Sequence, residues 1–202
     1  MSSHQELPPT VENFKGIGVF HFGEYEKREP IKSLLSALDR CSSAFTDFLI
    51  VLPESFNRPG GYWSEVRPDP SIKCKLIELY QERKVAFVVG LIEDREAGPR
   101  CNVAYLLDGA PNGKRDFELT WKFCELESMG TRSPHFCSTP VDHRGFAIAA
   151  LICNDFIDCP VECINPRKEE LAHGRKKLLA DLSRIPSTRK VVCVPACSSH
   201  WE

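Results

Sequence analysis

Glu54, Lys122 and Cys153 each stand where an apolar stretch gives way to a connection. Glu54 follows "FLIVLP", Lys122 lies in "ELTWKF", and Cys153 closes "AIAALIC". Their chemistries are complementary. A thiol is nucleophilic only as the thiolate, a small fraction at neutral pH for a free cysteine with a pKa of ~8.5, so it needs a base or a cation beside it. Taken singly, each also has a plainer reading: a solvated carboxylate, a surface ammonium group and a thiol packed in the core. In open α/β sheets functional groups gather outside the carboxyl ends of strands, which is how residues this far apart can share one pocket.

The elements needed to position them can be read from apolar periodicity. "IGVFHF" (17–22) reads as a buried strand, and "DFLIVLP" (47–53) as another. Between them, Ile31, Leu34, Leu35 and Leu38 follow helical spacing, with Pro30 in the first turn. This order predicts a right-handed crossover in a sheet covered by helices. Ile72, Leu76, Leu79 and Tyr80 mark a second helix, followed by apolar runs at 85–92 and, within hairpin distance, 102–109. Runs apolar throughout belong to sheets buried on both faces. "FAIAALIC" (146–153) is a further run of this kind. Asn165 and Pro166 then offer a helix start, Leu171, Leu178, Leu179 and Leu182 form one stripe, and "KVVCVPA" (190–196) closes with a strand.

The chain has 202 residues, 42% of them hydrophobic, enough for one substantial core. We assign residues 1–14 to a polar leader and 15–202 to a single domain. The 26 basic and 28 acidic residues are interspersed, with a net charge of −2, which gives no footprint for nucleic acid or an anionic membrane surface. No run of about 18 apolar residues and no secretory signal are present, so a cytoplasmic protein is expected. The ten cysteines then read mostly as reduced, buried side chains rather than a disulfide framework.

In this order, "FLIVLPESF", "VVGLIEDREAGPRCNVAYLLDG", "LTWKF" and "FAIAALICNDF" resemble the carbon-nitrogen hydrolase family, also called the nitrilase superfamily, over residues 17 to about 202. The resemblance implies an α/β fold, a four-layer α-β-β-α sandwich with two sheets face to face and helices outside. An incomplete C-terminal end is expected, because "VPACSSHWE" matches a point after which the family domain adds a helix and several strands. The family's Glu-Lys-Cys triad falls on Glu54, Lys122 and Cys153, and Asp155 matches the family aspartate. By the same resemblance Glu54 is the general base, Lys122 and the backbone N–H of Asn154 hold the oxyanion, and Cys153 forms a thioester that water hydrolyses.

The implied substrate is a small amide, N-carbamoyl compound or nitrile. "CND" resembles the turn of some N-carbamoyl amino acid hydrolases more than the Cys-Trp-Glu of nitrilases, which favours amides or carbamoyl groups. No cofactor is implied, and the family's habit of association makes a homo-oligomer the expected state. Glu125 and Glu127 both remain open for the second family glutamate, which fixes the lysine. "NDFIDCPVEC" departs from the family's arginine or aromatic followed by "PE", so pocket residues beyond the nucleophile are not carried over.

Two rival readings compete. Cys159, Cys163, Cys193, Cys197 and His200 offer paired zinc ligands, but Cys193 lies inside an apolar run rather than on a tight knuckle, and no metal is expected. Alternatively, the chain is a catalytically inactive, shortened relative that acts as a binding or assembly subunit through free sheet edges. Tyr62 and Trp63 in "NRPGGYWSE" line a pocket or pack on the scaffold, and "RKEELAHGRKK" (167–177) reads as a solvated face.

Overall fold

The computed structural model describes residues 12–21, 29–41, 46–59, 66–93, 101–109, 116–123, 135–155 and 168–196. In chain order these form β1 (Gly16–Val19), α1 (Pro30–Cys41), β2 (Phe48–Val51), α2 (Ser71–Arg83), β3 (Ala86–Glu93), β4 (Cys101–Leu107), β5 (Asp116–Trp121), β6 (Val141–His143), β7 (Phe146–Ala150), α3 (Lys168–Arg184) and β8 (Arg189–Cys193). One sheet runs β1-β2-β3-β4-β5, parallel from β1 to β3 and antiparallel from β3 to β5. The other runs β6-β7-β8, with β7 antiparallel to β6 and parallel to β8.

Strand alternation builds four layers from these two sheets. On β3, Phe87, Val89 and Leu91 pack with Leu34 and Leu38 of α1 and Ile72, Leu76 and Leu79 of α2. Ala86 and Val88, on the opposite face, meet Phe146, Ile148 and Ala150 of β7. The other face of β7, Ala147 and Ala149, packs against Leu178 and Leu182 of α3. Both β3 and β4 are therefore covered on both sides, as their continuous apolar runs predict, and a fully buried leucine such as Leu76 contributes about 1.5–3 kcal/mol.

The expected α1 positions Ile31, Leu34, Leu35 and Leu38 all pack into the helix-side layer, as do Ile72, Leu76, Leu79 and Tyr80 of α2, in the core or buried beside it. In α3 the inward face is Leu171, Gly174, Leu178 and Leu182. Leu179 departs from the expected stripe and is 56% exposed. α3 approaches closely at Gly174, where a Cβ would lie 2.3 Å from Cδ1 of Phe136. β5, whose "FELTW" alternates apolar and polar residues, and the three-residue β6 are strands not assigned from the sequence. The Asn165–Pro166 helix start lies outside the described residues, as do residues 1–11 of the leader. Phe14, at the leader's end, is packed between the sheets.

Opposite the C-terminal ends of β2 and β3, a buried ion network ties the sheets together. Arg144, in the turn between β6 and β7, donates to Asp47 Oδ1 (2.9 Å), Asp108 Oδ2 (3.4 Å) and the carbonyl of Glu12 (2.6 Å). His143 Nε2 lies 2.7 Å from Asp108 Oδ2, and the Phe14 ring stacks 4.3 Å from the Arg144 guanidinium. Asp47 immediately precedes β2 and Asp108 immediately follows β4, so both sheets are anchored at this end.

Candidate active site

At the other end the chain leaves β2 through Leu52, whose N–H donates to Val88 O (2.8 Å), and turns sharply at Glu54 and Ser55, where Ser55 takes a left-handed φ of 57°. The turn is laid onto β3. Phe56 N–H donates to Gly90 O (3.0 Å), and the Asn57 side chain both donates to Ile92 O (2.8 Å) and accepts from Ile92 N–H (2.9 Å). Gly90 is required by this approach: a Cβ there would sit 2.8 Å from the Glu54 Cα, a backbone atom that cannot swing aside.

β4 and β5 bring Lys122 to the same place. Ile92 pairs with Asn102, Val103 pairs with Trp121, and Lys122 N–H donates to Asn102 O (2.8 Å) directly after β5 ends. Lys122 Nζ then reaches both oxygens of Glu54, at 3.2 Å and 3.1 Å. Both side chains are almost completely buried, at 3% and 2% exposure. Burial raises the Glu54 pKa above the ordinary carboxylate range, outweighing the opposing charge and hydrogen bond of Lys122. A carboxyl group held this way can exchange a proton nearer neutral pH than an exposed glutamate can.

The ladder between β7 and β8 extends past Ala150 to the cysteine itself: Leu151 N–H donates to Cys193 O and Cys153 N–H to Pro195 O, each at 3.0 Å. At Cys153 the backbone switches to a left-handed φ of 46°, and residues 153–155 form a single tight turn that contains Asn154. Cys153 is half-buried, packed against the layer between the sheets. The turn is held by the fully buried Asp155. Its Oδ2 accepts from Phe123 N–H (2.8 Å), and its carbonyl accepts from Arg175 Nε of α3 (2.6 Å).

Glu54 and Lys122 therefore meet within hydrogen-bond distance, and the residue after Lys122 is bonded to the second residue after Cys153. The cysteine lies three residues beyond β7 rather than at its last position. Gly90, Asn57, Asn102 and Arg175 also shape this region and were not foreseen. Their importance depends on which strands are neighbours and in what register, although "PESFN" and "CN" on either side of β3 carry the polar residues involved.

Glu125, Glu127, Tyr62 and Trp63 fall outside the described residues, as do Cys159, Cys163, Cys197 and His200. Cys193 is buried in β8, where desolvation pushes its pKa up to about 12. Among the described residues, no group of three or more His, Cys, Asp or Glu side chains could hold a metal ion, and no helix is long and apolar enough to cross a membrane. A cavity of about 300 Å³ bordered by Asn57, Pro68, Pro70, Lys73, Leu91, Ile92 and Glu93 includes none of Glu54, Lys122 and Cys153 in its lining.

No family model matches the chain, and no curated protein matches it. Solved structures do. A mutant of the amidase from Nesterenkonia sp. AN1, carrying the acetamide moiety of fluoroacetamide covalently added at its active-site cysteine, aligns with TM-score 0.58 and 15% identity over 95% of this chain and 68% of that one. A double mutant of the same amidase in complex with acrylamide aligns with TM-score 0.56 and 13% identity over 94% and 68%. The glutamine-dependent NAD+ synthetase from Acinetobacter baumannii aligns with TM-score 0.51 and 18% identity over 85% of this chain and 30% of that one. The chain thus spans under a third of the synthetase and about two thirds of the amidase. At these identities the likeness is one of fold: this chain shares the α/β fold of the Nesterenkonia amidase.

Proposed function

We propose that the chain hydrolyses a non-peptide carbon-nitrogen bond of a small amide or carbamoyl compound through a thioester on Cys153. The observation that carries this reading is the buried Glu54–Lys122 pair at 3.1 Å, joined to the Cys153 turn by the 2.8 Å bond from Phe123 N–H to Asp155. Glu54 takes the thiol proton as Cys153 Sγ attacks the carbonyl carbon. Lys122 Nζ and the Asn154 N–H hold the oxygen of the tetrahedral intermediate, and one such donor typically lowers a barrier by about 3–4 kcal/mol. The C–N bond then breaks, and Glu54 returns the proton to the leaving nitrogen. Water, deprotonated by Glu54, attacks the thioester and releases the acid and the Cys153 thiol.

A homo-oligomeric, cytoplasmic enzyme comprising residues 15–202 accompanies this reading as part of the proposal. The test is ammonia release from a panel of small amides and carbamoyl amino acids, comparing the chain with Cys153→Ala and Lys122→Ala. Loss of release in both variants is expected. Activity retained by both would refute the mechanism, and a chain inert toward the whole panel would favour the non-catalytic assembly role.

A further inference from the structure

Among the described residues, the buried side-chain nitrogen and oxygen atoms without a hydrogen-bond partner are Ser55 Oγ and both amide atoms of Asn102. Both residues flank Glu54. Ser55 follows it in the chain, while Asn102 Oδ1 and Glu54 Cβ lie 3.5 Å and 3.1 Å from the point where a Cβ on Gly90 would sit. Asn102 and Glu54 therefore border the space that a side chain at Gly90 would fill. Asn102 is also the residue whose carbonyl receives the Lys122 N–H. It is 0% exposed, a depth comparable with Glu54 at 4% and Lys122 at 3%, the groups that handle substrate in the mechanism above.

A buried amide with no partner destabilises a fold, whereas an apolar residue of similar size does not. The next two β4 positions on this face, Ala104 and Leu106, are indeed apolar. Resting on the hydrolase reading, we propose that Asn102 is a specificity-determining residue whose carboxamide hydrogen-bonds the carboxamide of the substrate beside Glu54 and Lys122. Its Nδ2 donates to the substrate carbonyl and its Oδ1 accepts from the substrate N–H. A nitrile has no N–H to offer, so Asn102 discriminates against it. A site built around a hydrogen bond rejects analogues lacking that group far more strongly than a purely apolar pocket does.

The test needs no turnover. Chloroacetamide and chloroacetonitrile alkylate thiols and differ only in carboxamide against nitrile, so labelling of Cys153 is followed by peptide mass spectrometry and normalised to glutathione. The native chain should favour chloroacetamide by about tenfold or more. Asn102→Ala and Asn102→Leu should lose that preference, and Asn102→Leu, which matches the side chain in size, should melt at the same or a higher temperature. The proposal is overturned if the native chain shows no preference, if a folded variant keeps it, or if both variants melt several degrees lower and lose both reactions alike. Because labelling stops before hydrolysis, a failed ammonia assay leaves this result interpretable.

Discussion

The sandwich carries buried charge at both ends, and the two ends are built differently. Where the Arg144 turn meets Asp47 and Asp108, every charge is paired and the contacts join one sheet to the other. Where Glu54 meets Lys122, a buried ion pair sits beside the side chains of Ser55 and Asn102, which have no hydrogen-bond partner among the described residues. Backbone strain does not separate the two ends, because Asp47 and Arg144 have left-handed φ values of 62° and 47°, much like Ser55 and Cys153 at 57° and 46°. Satisfaction does. A network built for stability leaves no buried polar atom unpaired, while one built for a ligand keeps groups that the ligand will complete.

Substitutions at the two ends should therefore fail in different ways. Lys122→Met should reduce turnover by about 10²- to 10³-fold, measured as ammonia release, because it removes an oxyanion donor. It should also destabilise the fold, since it leaves the Glu54 carboxyl buried without its partner. Arg144→Ala should cost about 3–5 kcal/mol in urea unfolding by stranding Asp47 and Asp108, yet leave kcat unchanged at temperatures where the variant is folded. A large kcat effect of Arg144→Ala would erase the distinction. Gly90→Ala falls between them. Its Cβ, 2.8 Å from the Glu54 Cα, should cost about 1–3 kcal/mol of stability and lower kcat by displacing the carboxylate.

The smallest effect is on pH dependence. Burial raises the Glu54 pKa, so the acid limb of kcat/KM should lie above 4.5, the ordinary value for this group. The same shift bears on stability. The folded chain holds the Glu54 proton more tightly than the unfolded chain does, so the contribution is fully present below the unfolded pKa and is lost as pH rises through the folded one. Glu54→Gln should flatten that slope in unfolding free energy above about pH 4.5 and abolish the acid limb. An acid limb unchanged in Glu54→Gln would assign it to another group.

Much of this arrangement was legible in local sequence. Apolar runs and helical stripes marked both α1 and α2 and the central strands, while Glu54, Lys122 and Cys153 were singled out by the family resemblance of the stretches around them rather than by spacing. β5 was overlooked although "FELTW" alternates apolar and polar residues as a strand does, and β6 was hidden because it is three residues long. Leu179 was misplaced because it is the neighbour of Leu178 on the helix, and it is Leu178 and Leu182 that pack on Ala147 and Ala149 of β7. Gly90 and Asn102 lie in a stretch that carries the family resemblance, yet their part in the site, like that of Arg175, could not be read from it. Each matters through a neighbour across a sheet or on another layer, which depends on register and packing rather than on local pattern.

The central claim is that Glu54 activates Cys153. The rate at which iodoacetamide labels Cys153 at pH 7 measures this directly in the native chain and in Glu54→Gln. The account predicts a fall of about tenfold or more in the variant, with both proteins folded. Equal rates would contradict it.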